Sequence, residues 1–191
     1  YINFSDSGAS CWDDCDDIYN PELDGSFEDC GIDEGDDSVD YCLNLHSGAN
    51  LKSFYALPDD VSVGNIMSSL GESATGVITE GGATSQIAPG LWAGSLSNIS
   101  PNKGYWIIVD TASDLCLSDA TPTDSDLLYS LHSGANLISF PSSGSADVGS
   151  ALPDDIESSV TGVITEGGAT SQIAPGLWAG SMTSFNGGKG Y

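Results

Sequence analysis

Arginine is absent from this 191-residue chain and lysine occurs only three times, against 28 acidic residues, for a formal net charge of −25. A surface so short of positive charge repels polyanions, which disfavours nucleic acid and anionic lipid as partners. Long hydrophobic runs are missing too. No stretch approaches the roughly 18 apolar residues of a membrane span, so membrane insertion is not expected, and no signal-peptide pattern opens the chain. There is no initiating methionine: Tyr1-Ile2-Asn3-Phe4 is the opening expected where preceding residues were removed or belong to a longer precursor. Cations are the natural counterparts of such a chain, and high salt or abundant Ca²⁺ is its natural setting. At seawater-like ionic strength the screening length falls to about 4 Å. A saline extracellular environment is expected.

What the sequence does have is a repeat. Thr75 to Ser95 (TGVITEGGATSQIAPGLWAGS) recurs unchanged as Thr161 to Ser181, an offset of 86. The same offset relates Leu45 to Leu51 (LHSGANL) to Leu131 to Leu137, and Lys103-Gly104-Tyr105 to Lys189-Gly190-Tyr191. Whole small domains are therefore duplicated. The organisation expected is an acidic segment over 1–40, a first repeat over 41–110, a linker over 111–126 and a second repeat over 127–191. At about 65 residues a repeat buries only marginally enough surface to stand alone, so neighbours, metals or disulfides are expected to help.

Fourteen of the acids and four of the five cysteines (Cys11, Cys15, Cys30, Cys42) fall in the first 42 residues; Cys116 lies alone in the linker. A short Asp-rich stretch cannot bury much apolar surface. Covalent or metallic cross-links are expected to order it, disulfides before zinc, because C-x3-C without a second close Cys/His pair is a poor zinc pattern. Four cysteines allow three pairings, with Cys116 free to join this segment or another molecule. An oxidising compartment follows.

Within each repeat the pattern is mainly β, leaning to α+β. Tyr41 to Phe54 reads as two extended runs around a Ser47-Gly48 turn, repeated over Leu127 to Phe140. Val63, Ile66, Met67 and Leu70 have helical spacing after Asp60 or Ser62 as a cap, predicting one short helix; its counterpart is Ala146 to Leu152. Leu-Pro-Asp-Asp at 57–60 recurs at 152–155 with an offset of 95, marking a helix boundary in each copy. Gly76 to Thr79 and Leu91 to Leu96 read as strands separated by turns at Glu80 to Ala83 and Ala88 to Gly90. Tyr105-Trp106-Ile107-Ile108-Val109 is the apolar run of a central strand. Asp110 to Asp126 is a polar connector too rich in Asp, Ser and Thr to pack a core.

Gly134 to Pro141 (GANLISFP), a variable helical stretch, Trp178 and then a Gly-Lys-Gly-Tyr-Trp-Ile closure, which the first copy completes with Gly104-Tyr105-Trp106-Ile107, resemble a β-rich repeat of bacterial and archaeal secreted and surface-layer-associated proteins. In the first copy Lys52 and Tyr55 replace the Ile and Pro of the pattern. The acidic head, with Asp14-Cys15 to Asn20, Asp29-Cys30-Gly31 and Asp33-Glu34-Gly35, is similar to Asp-Cys-x-Gly repeats of large marine bacterial exoproteins, although its cysteines are spaced more widely. Similar modules occur in marine phage virion proteins. The resemblance implies an extracellular or cell-surface, structural or adhesive role, with a phage virion as the alternative, and no catalytic residues.

The candidate sites follow. Asp13, Asp14, Asp16, Asp17, Asp24, Asp29, Asp33 and Asp36 offer the six to eight oxygens that Ca²⁺ takes, without matching an EF-hand loop. His46 and His132, beside Ser47 and Ser133, and Glu80 and Glu166 contain the residue types of a hydrolytic triad. No nucleophile elbow or oxyanion motif accompanies them, so no catalytic residue is assigned and the histidines are expected to face solvent at strand ends. Trp92, Trp178 and the adjacent-to-cysteine Trp12 are candidates for sugar stacking, the first two competing with a core role. The second copy stops at Tyr191 and so lacks the counterpart of Trp106 to Val109. Either more chain follows in the natural protein or another molecule donates the strand; Tyr1-Ile2-Asn3-Phe4-Ser5 alternates like a strand of suitable length, and its donation would join copies head to tail into a fibre. Self-association or other surface proteins are the expected partners. A carbohydrate-binding accessory module of a larger secreted enzyme is the alternative.

Overall fold

The computed structural model describes residues 37–191. The acidic cluster from Asp13 to Asp36, Cys11, Cys15, Cys30, Trp12 and the Tyr1 to Ser5 segment lie outside the described residues. The fold is mainly β, with short helices.

In the first repeat, β1 (Val39–Leu45) and β2 (Gly48–Lys52) are the two extended runs anticipated around Ser47-Gly48. They do not pair with each other. Gly48 has φ of 102°, a left-handed conformation that turns the chain from one sheet into another. β2 enters a five-stranded antiparallel sheet of order β2-β7-β4-β5-β6, built with β4 (Ala74–Thr79), β5 (Gly82–Ala88), β6 (Leu91–Gly94) and β7 (Tyr105–Val109). As its sequence requires, β7 lies inside the sheet, hydrogen-bonded to β2 on one side and β4 on the other. Tyr105, Ile107 and Val109 point into the core. Helix α1 (Val63–Ile66) is capped by Ser62, whose Oγ accepts from Asn65 N, while Asp60 Oδ1 accepts from Ser62 N. A 3₁₀ segment, Ser68–Ser73, kinks at Gly71 and leads into β4.

The supposed connector is a strand. β8 (Ser113–Pro122) pairs along its length with β1 and, at its end, with the two-residue β3 (Ala56–Leu57). Its polar residues misled because alternation decides burial in a strand: Leu115, Leu117 and Ala120 face the core while Asp114, Cys116 and Ser118 face out. Cys116 sits opposite Cys42, and the two are joined by a disulfide. Two of the five cysteines are thereby paired, and a cross-strand link closes the first repeat.

The second repeat contains β9 (Ser145–Asp147), helices α2 (Val148–Ala151) and α3 (Asp154–Glu157), β10 (Gly162–Thr165), β11 (Gly168–Ala174), β12 (Leu177–Gly180) and β13 (Ser184–Asn186). It has two short helices where one was expected. The offset between repeats is not constant either. Asp147 caps α2 as Ser62 caps α1, and Val148-Gly149 stands where Val63-Gly64 does, an offset of 85. The hydrogen bonds Val63 N to Ser97 O and Val148 N to Thr183 O confirm the match. A one-residue deletion before α2, recovered before β10, therefore separates the copies, and the second Pro-Asp-Asp opens the additional helix α3. Each repeat has its own apolar cluster: Phe54, Val63, Ile66, Val77 and Ile107 in the first, Tyr129, Phe140, Val148, Leu152 and Phe185 in the second.

Candidate assembly site and the contact between repeats

The repeats meet through contacts related by a pseudo-two-fold. His46 Nε2 contacts a Glu166 carboxylate oxygen and His132 Nε2 contacts Glu80 in the same way. The other carboxylate oxygen of each Glu accepts a backbone N–H from the opposite repeat, Leu51 N to Glu166 at 2.9 Å and Leu137 N to Glu80 at 3.0 Å. Gly190 N donates to Leu51 O at 3.2 Å and Gly104 N to Leu137 O at 3.1 Å. Here the Lys-Gly-Tyr motif acquires its reason: a Cβ on Gly104 would lie 2.9 Å from Ile138 O, and one on Gly190 2.8 Å from Lys52 O. Only glycine allows so close an approach of two backbones.

The Leu-His-Ser-Gly-Ala-Asn-Leu motif is likewise accounted for. Asn50 Oδ1 accepts from His46 N while its amide donates to His46 O and Gly48 O; Asn136 does the same at His132 and Gly134. The Asn closes the loop and presents the His. Each imidazole Nδ1 faces a carbonyl, Ser47 O or Ser133 O, so with Nε2 against a carboxylate both ring nitrogens must donate. That arrangement requires imidazolium. The Glu166 hydrogen bond and the Ser47 carbonyl raise the His46 pKa; the Ser133 carbonyl and Glu80 raise that of His132. The Glu80 pKa is lowered by His132 and by the Leu137 amide. At Glu166 partial burial pushes upward, but His46 and the Leu51 amide outweigh it, and the net direction is down.

These histidines are exposed, as expected, yet they do not merely face solvent. Nor do they form a triad. His46 meets the Glu of the other repeat, and the neighbouring Ser47 hydroxyl donates to Asp110 O rather than to the imidazole. The joint repetition of His and Glu is legible in the sequence; what it does not reveal is that each copy supplies one half of the other's pair.

The second repeat departs from the first where β7 would lie. Tyr191 occupies the place of Tyr105: its backbone pairs with Ile138 as Tyr105 pairs with Lys52, and its hydroxyl accepts from Asn186 N as that of Tyr105 accepts from Ser100 N. Beyond it, no described strand fills the position between residues 134–138 and β10. Residues 134–137, the counterparts of β2, accordingly carry no strand pairing among the described residues. The same residue types are more open here than in the first repeat. Leu45 is 4% exposed but Leu131 38%, and Ile78 is 43% exposed but Ile164 70%.

The remaining candidates are placed as follows. Trp92 and Trp178 are half-buried against their clusters, lying beside Gly64 and Gly149 at the helix starts; Trp178 Nε1 donates to Glu157 Oε1 at 2.9 Å. Trp106 lies on β7. Among the described residues no three His, Cys, Asp or Glu side chains gather in a group suited to a metal, the Ca²⁺ candidates lying in the head. No protein-family model, curated protein or solved structure matches the chain.

Proposed function

We propose that this is an extracellular structural or adhesive repeat protein whose two repeats form one locked unit and whose units join by strand complementation. The observation that carries the reading is the reciprocal contact between the repeats, in which each copy supplies one half of the other's His–Glu pair. Symmetry supports it. The contact between repeats is of the two-fold kind, which satisfies itself and cannot propagate, whereas a slot in one repeat and a strand elsewhere make a heterologous contact that can build a filament. An apolar strand edge left bare is costly and prone to pairing, and added strands gain main-chain hydrogen bonds in this mode. The proposed donor is Tyr1 to Ser5 of the next copy. In the same reading the acidic head binds Ca²⁺, which offsets repulsion between chains of charge −25.

Electron microscopy of the full chain in Ca²⁺, with and without chelator, tests this. Filaments that shorten or disperse in EDTA are the expected result. Separate particles of single-chain size in Ca²⁺ at every concentration would refute assembly.

A further inference from the structure

All five basic residues of the chain, Lys52, Lys103, Lys189, His46 and His132, stand at the contact between the repeats. In a chain of charge −25 this is the one place with positive charge to offer a ligand. The contact has two pseudo-equivalent halves, and they differ in what fills them. On one half lies a cavity of about 230 Å³ whose walls include Glu80, Asn102, Lys103, Ser130, His132 and Asn136. On the other half Gly188 stands in the place of Asn102 and Asn44 in that of Ser130. There Leu43 lies so close to Gly188 that a Cβ on the glycine would come within 2.5 Å of its Cδ2. Asn44 is engaged as well, its Nδ2 donating to Asp114 Oδ1 at 2.6 Å.

The polar groups at the cavity fall into two sets. Glu80 is held by His132 Nε2 and Leu137 N, and Asn136 closes the loop from His132 to Gly134. By contrast, the Lys103 ammonium, the Asn102 amide and the Ser130 hydroxyl make no hydrogen bond or ion pair among the described residues. Lys103 and Ser130 are exposed and Asn102 is half-buried. These three groups prescribe a ligand. An ammonium is a point charge suited to an oxyanion, whereas an amide and a hydroxyl both donate and accept, as sugar hydroxyls do. A neutral sugar would leave the ammonium unmatched, and an inorganic anion would leave the amide and the hydroxyl without use. The volume lies below the roughly 300–1,000 Å³ of pockets for drug-sized ligands, which limits the guest to a single ring.

We propose that this half of the contact binds a sugar acid, one pyranose ring whose carboxylate meets Lys103 and whose hydroxyls meet Asn102 and Ser130. The inference goes beyond the assembly reading and does not depend on it, because a single chain holds the whole cavity.

Heteronuclear NMR of the full isotope-labelled chain, titrated with D-galacturonate, tests the site; about 0.15 M NaCl screens the chain's charge beyond about 8 Å. Saturable shifts at Asn102, Lys103 and Ser130, with none at Gly188, Lys189 and Asn44, are the expected result. Lys103→Met is expected to weaken binding at least about tenfold, as loss of a charged hydrogen bond does. Lys189→Met, its counterpart on the other half, should leave binding unchanged. Both lysines are exposed, so both variants are expected to fold, which the dispersion of their spectra verifies. A galacturonate trisaccharide separates two sources of the ligand: the end of an acidic glycan binds at least as well as the free sugar, and a trisaccharide that binds more weakly confines the site to the free sugar acid; both support the proposal. Equal binding of D-galactose, equal losses in the two lysine variants, or no saturable shift overturns it. None of these outcomes bears on assembly, which is read by mass.

Discussion

At the scale of single residues, the pairing of His46 with Glu166 and of His132 with Glu80 makes the contact between repeats depend on pH. Exposed ion pairs contribute little individually, but each of these carboxylates also holds a backbone N–H from the opposite repeat. The signs oppose at the two ends. A histidine whose folded pKa is raised stabilises fully below its ordinary value of about 6.5, and that contribution is lost as pH rises through the raised value. A glutamate whose folded pKa is lowered stabilises above its ordinary value of about 4.3, and that contribution is lost as pH falls through the lowered value. Stability from these pairs is therefore greatest in a mildly acidic window and declines towards alkaline pH. The double variant His46→Ala/His132→Ala is expected to lose this dependence: its melting temperature, followed by circular dichroism from about pH 5.5 to pH 8, should decline less than that of the parent. Parallel pH profiles for the two proteins would show that the pairs do not couple the repeats.

At the scale of elements, β8 is held by its buried Leu115, Leu117 and Ala120 and by the link from Cys116 to Cys42, which closes a loop of 74 residues. A loop of that length is worth about 4 kcal/mol in the chain-entropy view, within a usual range of about 2–5. Cys42→Ser/Cys116→Ser is thus expected to lower the melting temperature by roughly 10 °C or more and to increase amide exchange in β1 and β8 first. Equal protection in both proteins would mean that side-chain packing alone holds β8. The same elements show what the sequence disclosed and what it hid. Tyr105 to Val109 was legible as an inner strand because its apolar run has no other economical use, and the helix at Val63 because cap and spacing agree. β8 was hidden because three inward side chains are diluted by Asp, Ser and Thr on the outward face. α3 was hidden because its four residues, Asp154–Glu157, are too few to show a helical period. The His–Glu pairs were visible as residues but not as pairs, since each joins positions separated by 120 or 52 residues across two copies. Local pattern reports periodicity; it does not report which copy answers which.

At the scale of the whole molecule, the two copies are alike in sequence and unequal in structure. The first is closed by β7, β8 and a disulfide. In the second, no described strand stands between residues 134–138 and β10, and Leu131 and Ile164 are more exposed than Leu45 and Ile78. In the proposed reading units join end to end, and the strong negative charge would make that joining sensitive to salt, because repulsion between chains extends about 8 Å at 0.15 M ionic strength and less above it. The most direct test of the central claim is mass photometry of the full chain titrated with a synthetic peptide of residues 1–5. The account predicts a ladder of integral multiples of the single-chain mass that collapses to one copy as the peptide occupies each second repeat. A single-chain mass before any peptide is added, or a ladder that the peptide leaves unchanged, would contradict it.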